Sequence, residues 1–113
     1  MIDKDELLNT IKGQAAKFTD ERIAKAYKKW NKTVQYYFPD IDEYYKIVLV
    51  NGEPVEVVPG KSDKPDIKYE MTTETFYDIV SKKLTGMKAY NQKKVKVKGS
   101  MPDLMKLQKL DKV

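Results

Sequence analysis

Asn51-Gly52 lies between two runs of strand-forming residues, Tyr44–Val50 and Pro54–Val58. A two-residue type I′ turn needs positive φ at both central positions, which asparagine and glycine tolerate best, so the dipeptide predicts a tight hairpin. Antiparallel pairing is thereby fixed at the middle of the chain. Further strands flank it. Val34, Tyr36 and Phe38 alternate with Thr33, Gln35 and Tyr37, and the β-branched and aromatic content predicts a strand ending at Pro39. Continuation of the preceding helix is the competing reading there. Ile67, Tyr69 and Met71 alternate with Asp66, Lys68 and Glu70, and Val95 and Val97 with Lys94, Lys96 and Lys98. Each pattern gives a strand with one buried face, and the lysine row of the last guards against edge pairing.

Helical spacing fills the remainder. Asp3 with Glu6 forms a capping box ahead of Leu7, Leu8, Ile11, Ala15 and Phe18. Thr19 is read as the cap of a second helix, with Ile23, Tyr27 and Trp30 as its apolar stripe. Thr72 caps a third, with Phe76, Ile79, Val80 and Leu84 inward and Gly86 as its stop. Met87 to Gln92 is a short helical or turning piece, and Ser100 caps a last helix with Pro102 in its first turn. The order points to an α+β fold, an antiparallel hairpin sheet with helices covering one face. No repeat or linker interrupts residues 1–113, which read as one unit. A chain of 113 residues buries roughly two-thirds of its unfolded surface, leaving room for a core and an internal cavity.

The chain contains no histidine and no cysteine. That removes the commonest general base, the usual zinc sites and nucleophile–histidine pairs. Asp40, Asp42, Glu43 and Glu53 sit in turn-like or strand-edge contexts and read as solvated charges. The expectation is a protein that is not an enzyme and needs no cofactor or metal. The N-terminus lacks the layout of a secretory signal and no apolar run is long enough to span a bilayer, so a cytoplasmic location is expected. Net charge is +5, and Arg22 is the single arginine. Without the planar fork that reads bases and clamps phosphates, nucleic acid is not an expected partner. Eight tyrosines, including Tyr36-Tyr37 and Tyr44-Tyr45, suit a sheet whose outer face meets water. Weak contact with an anionic membrane surface fits the lysines equally well.

The C-terminal half is soft and apolar. Met71, Met87, Met101 and Met105 accompany Phe76, Tyr90, Leu104 and Leu107. Methionine is flexible and polarizable, which suits either a pocket for varied apolar ligands or ordinary core filling. Gln92 and Gln108 border this region; each is either a surface residue or a hydrogen-bonding group for a ligand head.

The stretch DIKYEMTTETFYDIVSKKLTGMKAYNQKKVKVKGSMPDLMKLQKL, residues 66–110, resembles the sterol carrier protein type 2 lipid-transfer domain. The strand, the capped helix with its phenylalanine, the glycine turn, the Lys-aliphatic-Lys strand and the closing Met-Lys-Leu-Gln helix occur in that family's order. The hairpin at Asn51-Gly52 fits upstream. The resemblance implies a five-stranded, mostly antiparallel sheet with an apolar tunnel beneath its helices, holding fatty acid, fatty acyl-CoA, a sterol or another apolar small molecule. Carried over by position, the tunnel walls are Phe76, Ile79 and Val80, then Met87 and Tyr90, then Met101, Met105 and Gln108. Gln92 aligns with the family's glutamine before its last strand. The family's glycine after that glutamine is Lys93 here, a change expected to alter the turn and the tunnel mouth. An accessory or interaction module of the same fold, without a usable tunnel, is the alternative.

Overall fold

The computed structural model describes residues 2–113. Helix α1 spans Lys4–Ala16, and strands β1 (Lys32–Phe38), β2 (Glu43–Val50), β3 (Glu53–Pro59) and β4 (Ile67–Glu70) follow. Helices α2 (Thr73–Val80) and α3 (Gly86–Asn91), strand β5 (Lys96–Lys98) and helix α4 (Met101–Leu107) complete the order. The sheet runs β3-β2-β1-β4-β5, parallel only where β1 meets β4. It is a mixed, mostly antiparallel α+β arrangement; the α+β class agrees with the order of elements, whereas the parallel β1–β4 pairing has no signal in the alternation.

Side-chain alternation gives the sheet its two faces. Val34, Tyr36 and Phe38 of β1 stand beside Ile47 and Tyr45 of β2 and Ile67 and Tyr69 of β4. These residues and the apolar positions of the helices belong to one core. Leu7, Ile11 and Ala15 of α1 are fully or almost fully buried in it, each leucine or isoleucine contributing about 2 kcal/mol. Asp3 caps α1 by accepting from the Asp5 and Glu6 N–H groups at 2.9 and 3.2 Å. On the opposite face, buried Gln35 accepts from the Ser62 N–H at 2.9 Å. The β3–β4 connection therefore touches the outer side of the sheet.

The hairpin forms as its residues dictate, with φ of 52° at Asn51 and 79° at Gly52. A side chain at Gly52 would also collide with the Tyr27 carbonyl oxygen. The turn is docked: Gly52 N–H donates to the Trp30 carbonyl at 3.0 Å and Asn51 N–H to Asn31 Oδ1 at 2.9 Å.

Two expectations are corrected. The helix expected after Thr19 is instead a pair of 3-10 turns, Lys17–Thr19 and Ala24–Tyr27. Thr19 does not cap; its hydroxyl donates back to the Ala16 carbonyl at 3.0 Å. Asp20 accepts from the Arg22 backbone N–H and from the Arg22 guanidinium at 2.8–2.9 Å, a local turn that competes with helix propagation. Ile23, Tyr27 and Trp30 are nonetheless buried, held by the hairpin and by α4. Second, Gly86 does not stop α2. That helix ends at Val80, where Lys82 takes φ 64° and the Lys82 and Lys83 N–H groups bond to the Ile79 and Asp78 carbonyls. This is a Schellman turn, with lysine in the position glycine usually takes. Gly86 instead opens α3, behind Thr85 as cap.

Lys93 closes α3 in the same way. Its φ is 62°, its N–H donates to the Tyr90 carbonyl at 3.0 Å, and Lys94 N–H donates to the Ala89 carbonyl at 2.9 Å. The turn that glycine would favour is thus made by lysine, at a backbone cost of about 1 kcal/mol.

Candidate functional site

A cavity of about 320 Å³ lies between the inner face of the sheet and helices α2, α3 and α4. Tyr36 of β1, Tyr69 of β4, Met71 and Val97 of β5 line it from the sheet. Phe76 and Ile79 of α2, Met87 and Tyr90 of α3, and Met101, Leu104 and Leu107 of α4 line it from the helices. The strand alternation turns Tyr36 and Tyr69 inward, and the parallel register sets them side by side, with ring centroids 5.4 Å apart. Phe76 stands edge-on to Tyr36 at 5.7 Å. Burial pushes the Tyr36 hydroxyl up to about 12 and raises Tyr69 further. Neither hydroxyl has a hydrogen-bond partner among the described residues.

The lining carries few polar groups, and several of these gather together: Gln14 and Lys17 from the end of α1, Lys82 after α2, and Gln108 and Asp111 after α4. Burial and the charge of Lys82 lower the Lys17 pKa, with Asp111 acting the other way. Asp111 is already committed to α3, accepting from the Gly86 and Met87 N–H groups at 3.1 and 3.4 Å. Lys82 Nζ donates to the Val113 carbonyl at 2.8 Å. Lys17 has no ion pair among the described residues.

Six of the residues expected at a ligand site line this cavity: Phe76, Ile79, Met87, Tyr90, Met101 and Gln108. Val80, Gln92 and Met105 do not. Val80, one residue past Ile79, is turned about the helix axis and packs against the core. Gln92 is exposed at the C-terminal cap of α3. Met105, 61% exposed, lies instead in a neighbouring open cleft shared with Met87, Gln108, Lys109 and Lys112. Met101 is 69% exposed, so the methionines of α4 are not a solid-packed core.

Sequence reasoning missed Tyr36, Tyr69, Gln14, Lys17, Lys82 and Asp111 as lining residues. Alternation marked both tyrosines as inward, but the parallel pairing that joins them leaves no periodic signal. The polar group is assembled from three separated segments.

Three of the four carboxylates considered for chemistry have structural partners, and the fourth, Glu53, is exposed at the start of β3. Asp40 accepts from the Thr73 N–H and hydroxyl at the start of α2, Asp42 from the Tyr37 hydroxyl, and Glu43 pairs with Lys4. Among the described residues no three metal-ligating side chains cluster, and no helix is long and apolar enough to cross a membrane.

The family model for the SCP-2 sterol transfer family matches residues 8–112. No curated protein sequence matches the chain. Among solved structures, sterol carrier protein 2-like 2 from Aedes aegypti shares 18% identity over 94% of this chain and 96% of its own, with TM-score 0.69. A ubiquinone synthesis protein, UbiJ-SCP2, shares 10% identity over 96% of each chain, with TM-score 0.71. A double mutant of the sec-alkyl sulfatase Pisa1 shares 24% identity, with TM-score 0.64, and Pisa1 from Pseudomonas sp. shares 26%, with TM-score 0.59. The match to the double mutant covers 76% of this chain but 13% of the sulfatase. The fold thus occurs alone and within a far longer enzyme. The Aedes aegypti protein has also been solved palmitated, at 21% identity over 80% of this chain and 92% of its own and TM-score 0.61.

Proposed function

The chain belongs to the SCP-2 sterol transfer family, and on that premise we propose that it is a non-catalytic lipid-binding protein whose cavity holds the apolar part of an amphiphile. The observation that carries this reading is an apolar cavity of about 320 Å³ with lysines at one polar region. Ligand pockets run from about 300 to 1,000 Å³. A volume at the low end favours a slim single chain, such as a fatty acid or the acyl part of its CoA ester, over a bulky polycyclic ligand. Burial of the chain drives binding at about 25 cal/mol per Å² of apolar surface. Lys17, half-buried and without an ion pair among the described residues, receives the anionic head, and the Tyr36 and Tyr69 hydroxyls offer further donors. The palmitated neighbour supports a chain of this kind.

Displacement of a fluorescent fatty acid tests the reading. Ile79→Trp fills the cavity and is expected to abolish binding while the protein stays folded by circular dichroism. Lys17→Met is expected to weaken a free fatty acid by about tenfold, the value of a charge-assisted hydrogen bond, and to leave its methyl ester unchanged. Affinity for the acid should also fall with rising pH earlier than an ordinary lysine would allow, because the lowered Lys17 pKa releases its proton sooner. Equal loss for acid and ester would refute the head-group assignment. Unimpaired binding by Ile79→Trp would refute the cavity assignment.

A further inference from the structure

The charges of this chain are unevenly distributed. Residues 1–80 hold twelve basic and fifteen acidic side chains, whereas residues 81–113 hold ten lysines and two aspartates. Both of those aspartates are engaged. Asp103 is buried against Trp30 and Lys32, and Asp111 binds the start of α3. Among the described residues, the same third of the chain carries four of the six large apolar side chains that stand exposed: Met87, Tyr90, Met101 and Met105. Three of them line the apolar cavity, and the fourth shares the adjoining cleft with Met87, Lys109 and Lys112. An apolar patch at the edge of an apolar cavity is therefore carried by the most basic third of the chain, with Lys109 and Lys112 directly beside it.

We propose that this face, formed by α3, α4 and the 3-10 turn Gln108–Lys112, docks on an anionic lipid bilayer. Flexible methionines and an amphipathic tyrosine suit the headgroup–acyl boundary. Surrounding lysines supply the attraction that a neutral patch of this size lacks, at about fivefold in affinity per lysine near the surface. An acidic protein would satisfy the lysines equally. A bilayer alone also lets an apolar chain pass between membrane and cavity without crossing water. This inference rests on the lipid-binding reading and gives it a route of entry.

The test is flotation of the full chain with phosphatidylcholine vesicles and with vesicles containing phosphatidylglycerol, at low and high salt. Binding is expected only to the anionic vesicles and is released by salt. Met105→Ser and the pair Lys109→Gln with Lys112→Gln are each expected to lower the bound fraction severalfold. Val55→Ser, on the equally exposed β3 edge, leaves it unchanged. Binding to neither vesicle, or equal sensitivity to Met105→Ser and Val55→Ser, would overturn the proposal. So would Met105-dependent dimers in sedimentation without vesicle binding, which would make the face a self-association surface. Native mass spectrometry of the same variants separates the two readings. Met105→Ser should keep its bound lipid, and an empty cavity with intact vesicle binding would count against the lipid reading alone.

Discussion

Phe18, Tyr27 and Trp30 pack at centroid distances of 5.0–6.1 Å, and Tyr36, Tyr69 and Phe76 form a second group in the same core. Helix α4 serves both. Its Asp103 accepts from the Trp30 indole N–H at 3.2 Å, and the Lys106 carbonyl accepts from the Tyr27 hydroxyl. Its Met101, Leu104 and Leu107 meet the cavity that the second group lines. The first group is closed, with both polar atoms satisfied. In the second, two tyrosine hydroxyls have no partner among the described residues, and neighbouring side chains stand exposed. Similar residue types therefore serve two ends: one group fixes the fold, and the other leaves space and hydrogen-bonding capacity for something else.

The largest effect should come from the closed group. Trp30→Ala removes a buried ring and the donor to buried Asp103, and is expected to cost about 3–5 kcal/mol in urea unfolding. A loss below 1 kcal/mol would mean that this cluster is not what fixes the fold. Paired tyrosine deletions sharpen the contrast. Tyr27→Phe leaves the Lys106 carbonyl without its donor and should cost about 1 kcal/mol. Tyr36→Phe and Tyr69→Phe remove hydroxyls without a partner among the described residues, so stability should hold within about 0.5 kcal/mol. Equal losses at all three tyrosines would erase the distinction between the groups.

Much of this contrast was written in the residues. Five strands, the Asn51-Gly52 turn and the caps at Asp3, Thr72 and Ser100 follow from alternation and local hydrogen bonding, which are properties of neighbouring residues. The segment after Thr19 was misread as helix because Ile23, Tyr27 and Trp30 have helical spacing, while the Asp20 turn and the docked hairpin decide its backbone. Lys82 and Lys93 were equally hidden, since nothing in a lysine announces positive φ. Of the cavity, the apolar stripes of α2 and α4 were legible. Lys17, Lys82 and Asp111 were not, because only the folded chain brings them together.

A smaller effect probes the turn beside the open group. Lys93→Gly relieves a left-handed lysine and is expected to stabilise by up to about 1 kcal/mol, with the cavity unchanged. Destabilisation would show that the Lys93 side chain does more than close α3. Smallest is the acid response of the exposed turn near the closed group. The Arg22 guanidinium holds Asp20 down to about 2 against 3.8. A depressed carboxylate stabilises above its unfolded value, so this contribution is full above pH 3.8 and disappears as pH falls through about 2. Asp20→Asn should flatten stability only in that window, read from unfolding curves between pH 5 and 2. A change confined to neutral pH would contradict the assignment.

Whether the open aromatic group has an occupant is decided most directly by native mass spectrometry of gently purified protein, with extraction and identification of any adduct. The expected result is a one-to-one added mass from a single-chain lipid, lost on extraction and restored by adding fatty acid. Uniformly unliganded protein that also fails to bind added fatty acid would contradict the account and leave the cavity a packing defect of the fold.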